Sequence, residues 1–407
     1  MEIKLASPES CTGCAACANA CPNGALSMRP DRTGFLFPVI DAGRCVNCGR
    51  CTKVCPALHP LTASTDAPRA FIVQHRDDAI RRRSTSGGAF TALAEQAIGM
   101  GGAVYGAAFG EGFTVRHVRA DTVEELAAFR SSKYVQSEMG ECYRDAKAQL
   151  DSGRAVLFSG TPCQIQGLRA CLGRDYEKLL TVDFMCRAVP SPKILKTCLA
   201  AQRARGFDFD RLVFRDKALG YSYSTLALYA GSRCVYRAGS EADPWLRLFL
   251  GGYCNRESCY HCPFQTGPRV SDFTLWDCWG TQRYAPEWDD NRGTTNAIVW
   301  TEKGMKWLDG ASEALRVREI GIENIDASLE RRPIPRPDID QRAFYADADA
   351  MEPSAFIKKY APLSPKIRLK SAGRKLIYRL GIYNAVRKAV HFGRRWKNGK
   401  LKMDNGQ

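Results

Sequence analysis

Histidine is scarce in this chain, with only His59, His75, His117, His261 and His391 among 407 residues. No Ser, His and Asp constellation and no paired carboxylates stand out, so classical acid–base roles have few candidates. Long apolar runs are missing too. None approaches the roughly 18 residues of a membrane span, because Arg, Lys or Gly interrupts each one. The opening MEIKLASPES has no apolar h-region or small-residue cleavage site, which sets the expectation of a cytoplasmic protein. Acidic residues are absent from Ser364 to Lys400, where twelve Lys or Arg stand. That tail holds most of the net charge of +16, leaving about four positive charges for the rest. With a nearly neutral body and no recognised nucleic-acid module, no nucleic-acid partner is expected.

Cysteine, by contrast, is abundant: eight of the eighteen fall before Pro56, and the other ten spread from Cys142 to Cys278. In a reducing compartment clustered cysteines read as metal ligands. The first group is Cys11-x2-Cys14-x2-Cys17-x3-Cys21-Pro22, and the second is Cys45-x2-Cys48-x2-Cys51-x3-Cys55-Pro56. Both follow the bacterial ferredoxin run, in which three thiolates of a tight loop hold one [4Fe-4S] cube and the fourth reaches the other cube. The expected sets are therefore Cys11, Cys14, Cys17 and Cys55 for one cluster, and Cys45, Cys48, Cys51 and Cys21 for the other. The small residues Gly13, Ala15, Ala16 and Gly49 let backbone amides approach the cluster sulfurs. Zinc or disulfides are the competing readings of such spacing.

Residues 1–60 thus form one unit, expected to be a small bacterial-ferredoxin-like domain. A polar stretch from Leu61 to Arg69 links it to a different kind of sequence. Short apolar runs predict strands at Ala70–Val73, Gly102–Phe109, Ala155–Phe158, Leu179–Phe184, Leu212–Phe214, Thr225–Tyr229 and Ala297–Trp300. Helical spacing falls between them, at Ala89–Ile98, Cys142–Leu150, Pro162–Cys171 and Lys193–Arg203. The alternation predicts a mixed α/β body of the α+β kind. Within it, Arg81-Arg82-Arg83-Ser84-Thr85-Ser86-Gly87-Gly88 opens a helix, a place where free amides and cations can meet phosphate, or where Ser and Gly simply cap.

The ordered segments STSGGAFTALAEQAI, GGAVYGAAF, SSKYVQSEMG, LFSGTPCQIQGL, VDFMCRAVPSP, FRDK, SCYHCPF and SDFTLWDCWG resemble the coenzyme F420 hydrogenase/dehydrogenase beta-subunit family, bacterial type with an N-terminal ferredoxin domain. The resemblance covers nearly everything from Cys11 to about Trp300. It implies a body divided into residues 70–145 and 146–320, with 321–407 as a basic C-terminal extension. It further implies FAD and a third [4Fe-4S] cluster. Ser86, Gly87, Gly88 and Thr91 would line the FAD pyrophosphate region. Lys133, Tyr134 and Ser137 would approach the flavin, with Lys133 in a catalytic role as the cation that stabilises charge on the reduced ring. Cys163 and Cys186, each after a predicted strand, and the pair Cys259-x2-Cys262 would hold the third cluster, with Cys254 and Cys278 as substitutes. Arg187-Ala188 stands where the family often has His-Gly, and Cys278 where it often has an aromatic.

The implied function is that of an iron–sulfur flavoprotein oxidoreductase passing electrons between a one-electron carrier and a two-electron donor or acceptor. Its expected partners are a redox protein, either a ferredoxin or another subunit, and a small-molecule hydride donor or acceptor. A non-catalytic electron-transfer subunit and a protein associated with polysaccharide biosynthesis are the alternatives. In the tail, a helix broken near Gly381 would gather Leu376, Ile377, Leu380, Tyr383, Val386 and Val390 on one side. That pattern suits peripheral contact with an anionic membrane surface, an acidic partner, or packing on the body.

Overall fold

The computed structural model describes residues 3–63, 67–323, 325, 334–382 and 385. At the amino end, strands β1 (Leu26–Pro30) and β2 (Leu36–Ile40) pair antiparallel from Leu26↔Ile40 to Pro30↔Leu36. Asp31 closes their turn, its Oδ1 accepting the Thr33 N–H at 2.9 Å and the Phe35 N–H at 3.2 Å. Each cysteine loop runs into a short helix, Ala16–Ala20 or Arg50–Lys53, entered through a left-handed residue, Ala15 or Gly49. The tight spacing of three sulfurs demands that reversal, and only the second loop meets it with the residue best suited to it.

The body strands follow in chain order: β3 (Arg69–His75), β4 (Ala103–Phe109), β5 (Val115–Ala120), β6 (Ser137–Glu138), β7 (Val156–Ser159), β8 (Leu179–Phe184), β9 (Arg211–Asp216), β10 (Thr225–Ala230), β11 (Arg233–Ala238), β12 (Phe273–Asp277), β13 (Thr295–Val299) and β14 (Leu315–Ile320). Nine of them form one mixed sheet in the order β14-β3-β13-β12-β8-β7-β4-β5-β6, and β11-β10-β9 form a second, antiparallel sheet. The fold is therefore α/β of the α+β kind. The seven expected strands and four expected helices all occur, each within about two residues of its predicted bounds.

Side chains of the large sheet alternate between two cores, as period-two strands buried on both faces must. Val104, Leu157, Leu180 and Val182 pack with helices Ala89–Gly99 and Glu302–Gly310. Ala103, Tyr105, Val156, Phe158 and Leu179 face helices Cys142–Asp151 and Pro162–Leu172. Each such large side chain contributes about 1.5–3 kcal/mol by leaving water. The small sheet packs on helices Pro192–Ala204, Pro244–Leu250, Gln341–Ala350 and Pro353–Tyr360.

Four central strands, β12, β8, β7 and β4, are mutually parallel. Their carboxyl ends therefore lie on one edge, the edge where α/β sheets usually place ligands. The ferredoxin-like unit seats against the body through backbone carbonyls. Arg144 donates to Asn19 O at 2.6 Å, Ala18 O at 2.9 Å and Cys21 O at 2.6 Å, capping the end of helix Ala16–Ala20 with a cation. Ser191 Oγ donates to Thr33 O at 2.5 Å, and Lys193 Nζ to Arg32 O at 2.8 Å. No helix among the described residues is long and apolar enough to cross a membrane.

Gly34 has φ +82°, and a Cβ there would lie 2.6 Å from the Lys193 Cβ and 3.0 Å from its backbone nitrogen. Gly34→Ala should therefore destabilise the protein by about 1–3 kcal/mol through left-handed strain and overpacking. A lower thermal midpoint is the expected result. An unchanged midpoint would show that this hairpin does not seat tightly on helix Pro192–Ala204.

Candidate metal centres and ligand site

The cysteine loops surround two cavities. One is lined by Cys11, Cys14, Cys17 and Cys55, and the other by Cys21, Cys45, Cys48 and Cys51. Each group takes its fourth sulfur from the opposite motif, so the structure brings together the two crossed quartets that the spacing predicts. Burial pushes the Cys17 thiol up to about 12, with Cys11 and Cys55 adding repulsion. Burial likewise drives Cys14 well above its ordinary range. Such thiols do not ionise unaided, and a bound cation reverses that balance by replacing their protons.

The donor sets fit iron–sulfur cubes. Among the described residues no three His, Cys, Asp or Glu side chains converge closely enough to hold a single ion. Four sulfurs at about 2.3 Å from one zinc would sit ~3.8 Å apart, whereas a cube takes one thiolate per iron corner and needs a wider frame. Amide donors are also in place, since the Ala25 N–H reaches Cys21 Sγ at 3.2 Å. Gln136 Nε2 is a buried donor without a partner among the described residues, and a Cβ on Gly13 would lie 2.6 Å from it. Gln136 Oε1 meanwhile accepts the Leu36 N–H at 2.9 Å, so the amide is aimed at the first cysteine loop.

At the carboxyl edge of the large sheet a third quartet assembles. Cys163 lies in the first turn of helix Pro162–Leu172, held by Thr161, whose N–H donates to Gln164 Oε1 at 2.9 Å in a capping box. Cys186 follows β8, and Cys259 and Cys262 lie in and just after a 3₁₀ turn, Glu257–His261. Burial raises Cys186 well above its ordinary range, and the thiols of Cys259, Cys163 and Cys262 raise it further. Cys259 is pushed up to about 12, by burial first. The Val189 N–H donates to its sulfur at 3.3 Å. The two expected substitutes stand apart. Cys254 is buried in the core of the small sheet, and Cys278 packs beside Ile72 and Ala285.

The residues expected around a flavin fall into one network and one satellite. Lys133 Nζ faces the carbonyls of Ala128 at 2.7 Å, Arg130 at 3.0 Å and Ser131 at 3.3 Å, which favour its ammonium form, while burial lowers its pKa to about 7. Tyr134 packs against Phe214 and Phe249, and its hydroxyl accepts from Arg215 at 3.2 Å. Arg215 forks onto Asp277 at 2.9 and 3.0 Å, and Asp277 accepts the Ser86 hydroxyl at 2.7 Å. Thr85 and Ser132 meet at 2.9 Å, so the two loops touch.

Ser137 lies elsewhere, accepting from Gln164 Nε2 at 3.0 Å beside the third quartet. Gly87 and Gly88 serve close packing: a Cβ on Gly87 would overlap Val73 O at 2.3 Å, and one on Gly88 the His75 Cβ at 2.8 Å. The Gly87 N–H donates to Thr295 Oγ1 at 2.8 Å, so this amide is engaged rather than presented to a phosphate. Thr91 is buried within its helix.

Reasoning from sequence assigned no role to Arg215, Lys217, Asp277, Gln136 or Arg256. Lys217 faces the carbonyls of Ser86, Arg81 and Arg292 at 2.5 to 2.9 Å, and burial lowers its pKa to about 7. The segments FRDK and LWDCWG carried the signal for Arg215, Lys217 and Asp277, but their partners come from distant segments. Around the same loops, Arg130 Nε, Ser131 Oγ and Arg215 Nε are buried donors without partners among the described residues. That donor surplus fits an anionic, acceptor-rich ligand.

At the carboxyl-terminal end, helix Pro365–Arg379 is followed by Gly381 at φ +69°, the expected break. Arg374 holds it to Glu241 at 3.4 Å and over Tyr223, while Leu369, Leu376 and Leu380 face outward. Tyr383, Val386 and Val390 lie outside the described residues.

Crossed cysteine quartets on a mixed α/β body define an iron–sulfur electron-transfer protein. Comparison with known proteins agrees. Residues 10–58 and 37–95 match two profiles of the 4Fe-4S dicluster domain, and residues 153–324 match the profile for the C terminus of the coenzyme F420 hydrogenase/dehydrogenase beta subunit. Residues 153–324 thus carry the C-terminal domain of that beta-subunit family, and a 4Fe-4S dicluster domain stands before it. Among solved structures, a chain of the xenon-derivatised F420-reducing [NiFe] hydrogenase complex from Methanosarcina barkeri aligns with a TM-score of 0.44 and 16% identity, over 74% of this chain and 94% of that one. No curated protein matches the chain.

A buried histidine near Lys133 gives this edge a pH signature. His117 Nε2 lies 3.0 Å from Ser159 O, and burial holds its pKa down to about 4, with repulsion from Lys133 adding to the effect. Between pH 6.5 and 4 the unfolded chain binds a proton that the folded chain refuses, so stability should fall as pH drops through that window, by up to about 3 kcal/mol. Denaturant midpoints at pH 7.5 and 4.5 should show the loss in the wild type and less of it in His117→Gln. Equal losses would contradict a neutral buried His117.

Proposed function

We propose that this chain is an iron–sulfur flavoprotein oxidoreductase that moves electrons between a ferredoxin-like one-electron carrier and a two-electron donor or acceptor, through three [4Fe-4S] clusters and FAD. The observation that carries this reading is the sorting of twelve cysteines into three quartets, the third at the same sheet edge as the Lys133 loop. Cys11, Cys14, Cys17 and Cys55 would hold one cluster, Cys21, Cys45, Cys48 and Cys51 the second, and Cys163, Cys186, Cys259 and Cys262 the third. When bound, the cubes carry single electrons and the flavin exchanges a pair, so the flavin links hydride chemistry to the clusters.

In this reading the chain's own side chains bind, orient and compensate charge. Lys133, fixed by three carbonyls, holds a proton at Nζ that can offset charge on a reduced ring. Arg215 is locked by Asp277 and donates to the Tyr134 hydroxyl, and its buried Nε, without a partner among the described residues, is left to meet a ligand acceptor. Ser86 joins this frame through Asp277, while Gly87 and Gly88 let the preceding loop press against β3 and β13. The redox partner would be a ferredoxin or another subunit, and the C-terminal domain of a beta-subunit family suits a multi-subunit setting. The outward leucines of helix Pro365–Arg379, among cations and with no acidic residue, favour peripheral contact with an anionic membrane surface.

Anaerobic isolation followed by iron, sulfide and flavin counting tests the reading. About twelve iron atoms and one FAD per chain are expected. Cys186→Ser should lower iron by about four, and Lys133→Met should keep iron while weakening FAD at least tenfold. Full iron without flavin in the wild type would favour a non-catalytic relay subunit instead.

A further inference from the structure

Arg256 is fully buried and sits where the ferredoxin-like unit meets the body. Its guanidinium donates to Cys11 O at 2.7 Å and Leu36 O at 3.1 Å, and lies 3.5 Å from Cys11 Sγ. It stacks over Phe37 at 4.0 Å, and a Cβ on Gly13 would intrude to 2.8 Å from it. Its backbone belongs to the other side: the Arg256 N–H donates to Val189 O, and Arg256 O accepts the N–H of Cys259 at 3.0 Å. The same charge favours the thiolates of Cys163 and Cys259, and Cys163 lies near enough to Cys14 for each to feel the other's charge.

No carboxylate is among its partners in the described residues, which are two carbonyls, a sulfur and the rings of Phe35 and Phe37. A buried cation without an anion costs several kcal/mol. The anions within reach are the two cysteine quartets once they hold clusters, because a cube on four thiolates is a net anion and gains a further negative charge on reduction.

We propose that Arg256 is the shared counter-ion of two clusters, the one on Cys11, Cys14, Cys17 and Cys55 and the one on Cys163, Cys186, Cys259 and Cys262, and that it marks the crossing point for electrons between the ferredoxin-like unit and the body. This rests on the three-cluster reading above. The step is a one-electron transfer: one cluster is oxidised by one electron and the other reduced by one, with no proton moved. Because the cation adjoins both, the charge that leaves one anion reappears beside the same guanidinium. Arg256 acts through the clusters and is a positioning residue, so its signature is a potential.

The test is an EPR-monitored reductive titration of anaerobically isolated wild type, Arg256→Gln and Arg256→Lys, each with its iron counted. In Arg256→Gln, two of three reduction steps should become at least tenfold less favourable, a shift of about 59 mV to the negative. The third step, from the cluster on Cys21, Cys45, Cys48 and Cys51, should stay. Arg256→Lys, which keeps the charge, should hold its steps within threefold of wild type. Unchanged steps in Arg256→Gln, or three equal shifts, would overturn the proposal.

Should Arg256→Gln lose iron, Arg256→Lys decides: a counter-ion role predicts retained iron and potentials, whereas a packing role predicts loss of both, since Lys cannot fork onto Cys11 O and Leu36 O. Wild type with about eight iron atoms would overturn the three-cluster reading and the shared role with it, whereas about twelve iron atoms with unchanged steps in Arg256→Gln would overturn the role of Arg256 alone.

Discussion

Four sulfurs must face a common gap without touching one another, and this protein meets that constraint by sharing each fourth thiol between two loops. Cys21 and Cys55 each leave their own motif and line the opposite cavity. The exchange places the two centres side by side around two short helices, and it fixes the path of β1 and β2 between them. It also explains the left-handed entries at Ala15 and Gly49, which let three thiols turn inward within one loop.

The rest of the molecule reads as a platform for that pair. Arg144, Ser191 and Lys193 reach out of the body and satisfy carbonyls of the small unit, a polar seam that fixes position more than it buries surface. Parallel strands bring Ser159, Phe184 and Asp277 to one edge, so residues nearly a hundred positions apart meet there. Burial at that edge lowers two lysines and raises the thiols, a concentration of perturbed groups that marks functional sites more often than structural ones.

Much of this was legible in the sequence, and the limits were physical. The two N-terminal quartets are set by short-range spacing, which a linear sequence displays directly. Short apolar runs revealed β3, β4, β7 and β8, whereas β14, LRVREI, carries charges as an outer strand and gives no such signal. Cys163, Cys186, Cys259 and Cys262 span a hundred residues, so resemblance to a family grouped them where spacing could not. The turn from Arg81 to Gly88 could be read as offering amides to phosphate or as plain capping, and the sequence could not show that the Gly87 amide donates to a hydroxyl of Thr295, more than two hundred residues away. Arg256 was invisible for the same reason: an arginine three residues before a cysteine says nothing until Cys11 and Leu36 fold over it.

The central claim is that the amino-terminal sulfurs frame cubes of iron. A Mössbauer spectrum of the anaerobically isolated, iron-57-labelled chain, paired with zinc analysis, addresses it most directly. The account predicts iron in tetrahedral sulfur sites of [4Fe-4S] type and no stoichiometric zinc. Zinc in the crossed quartets, or iron confined to two-iron units, would contradict it.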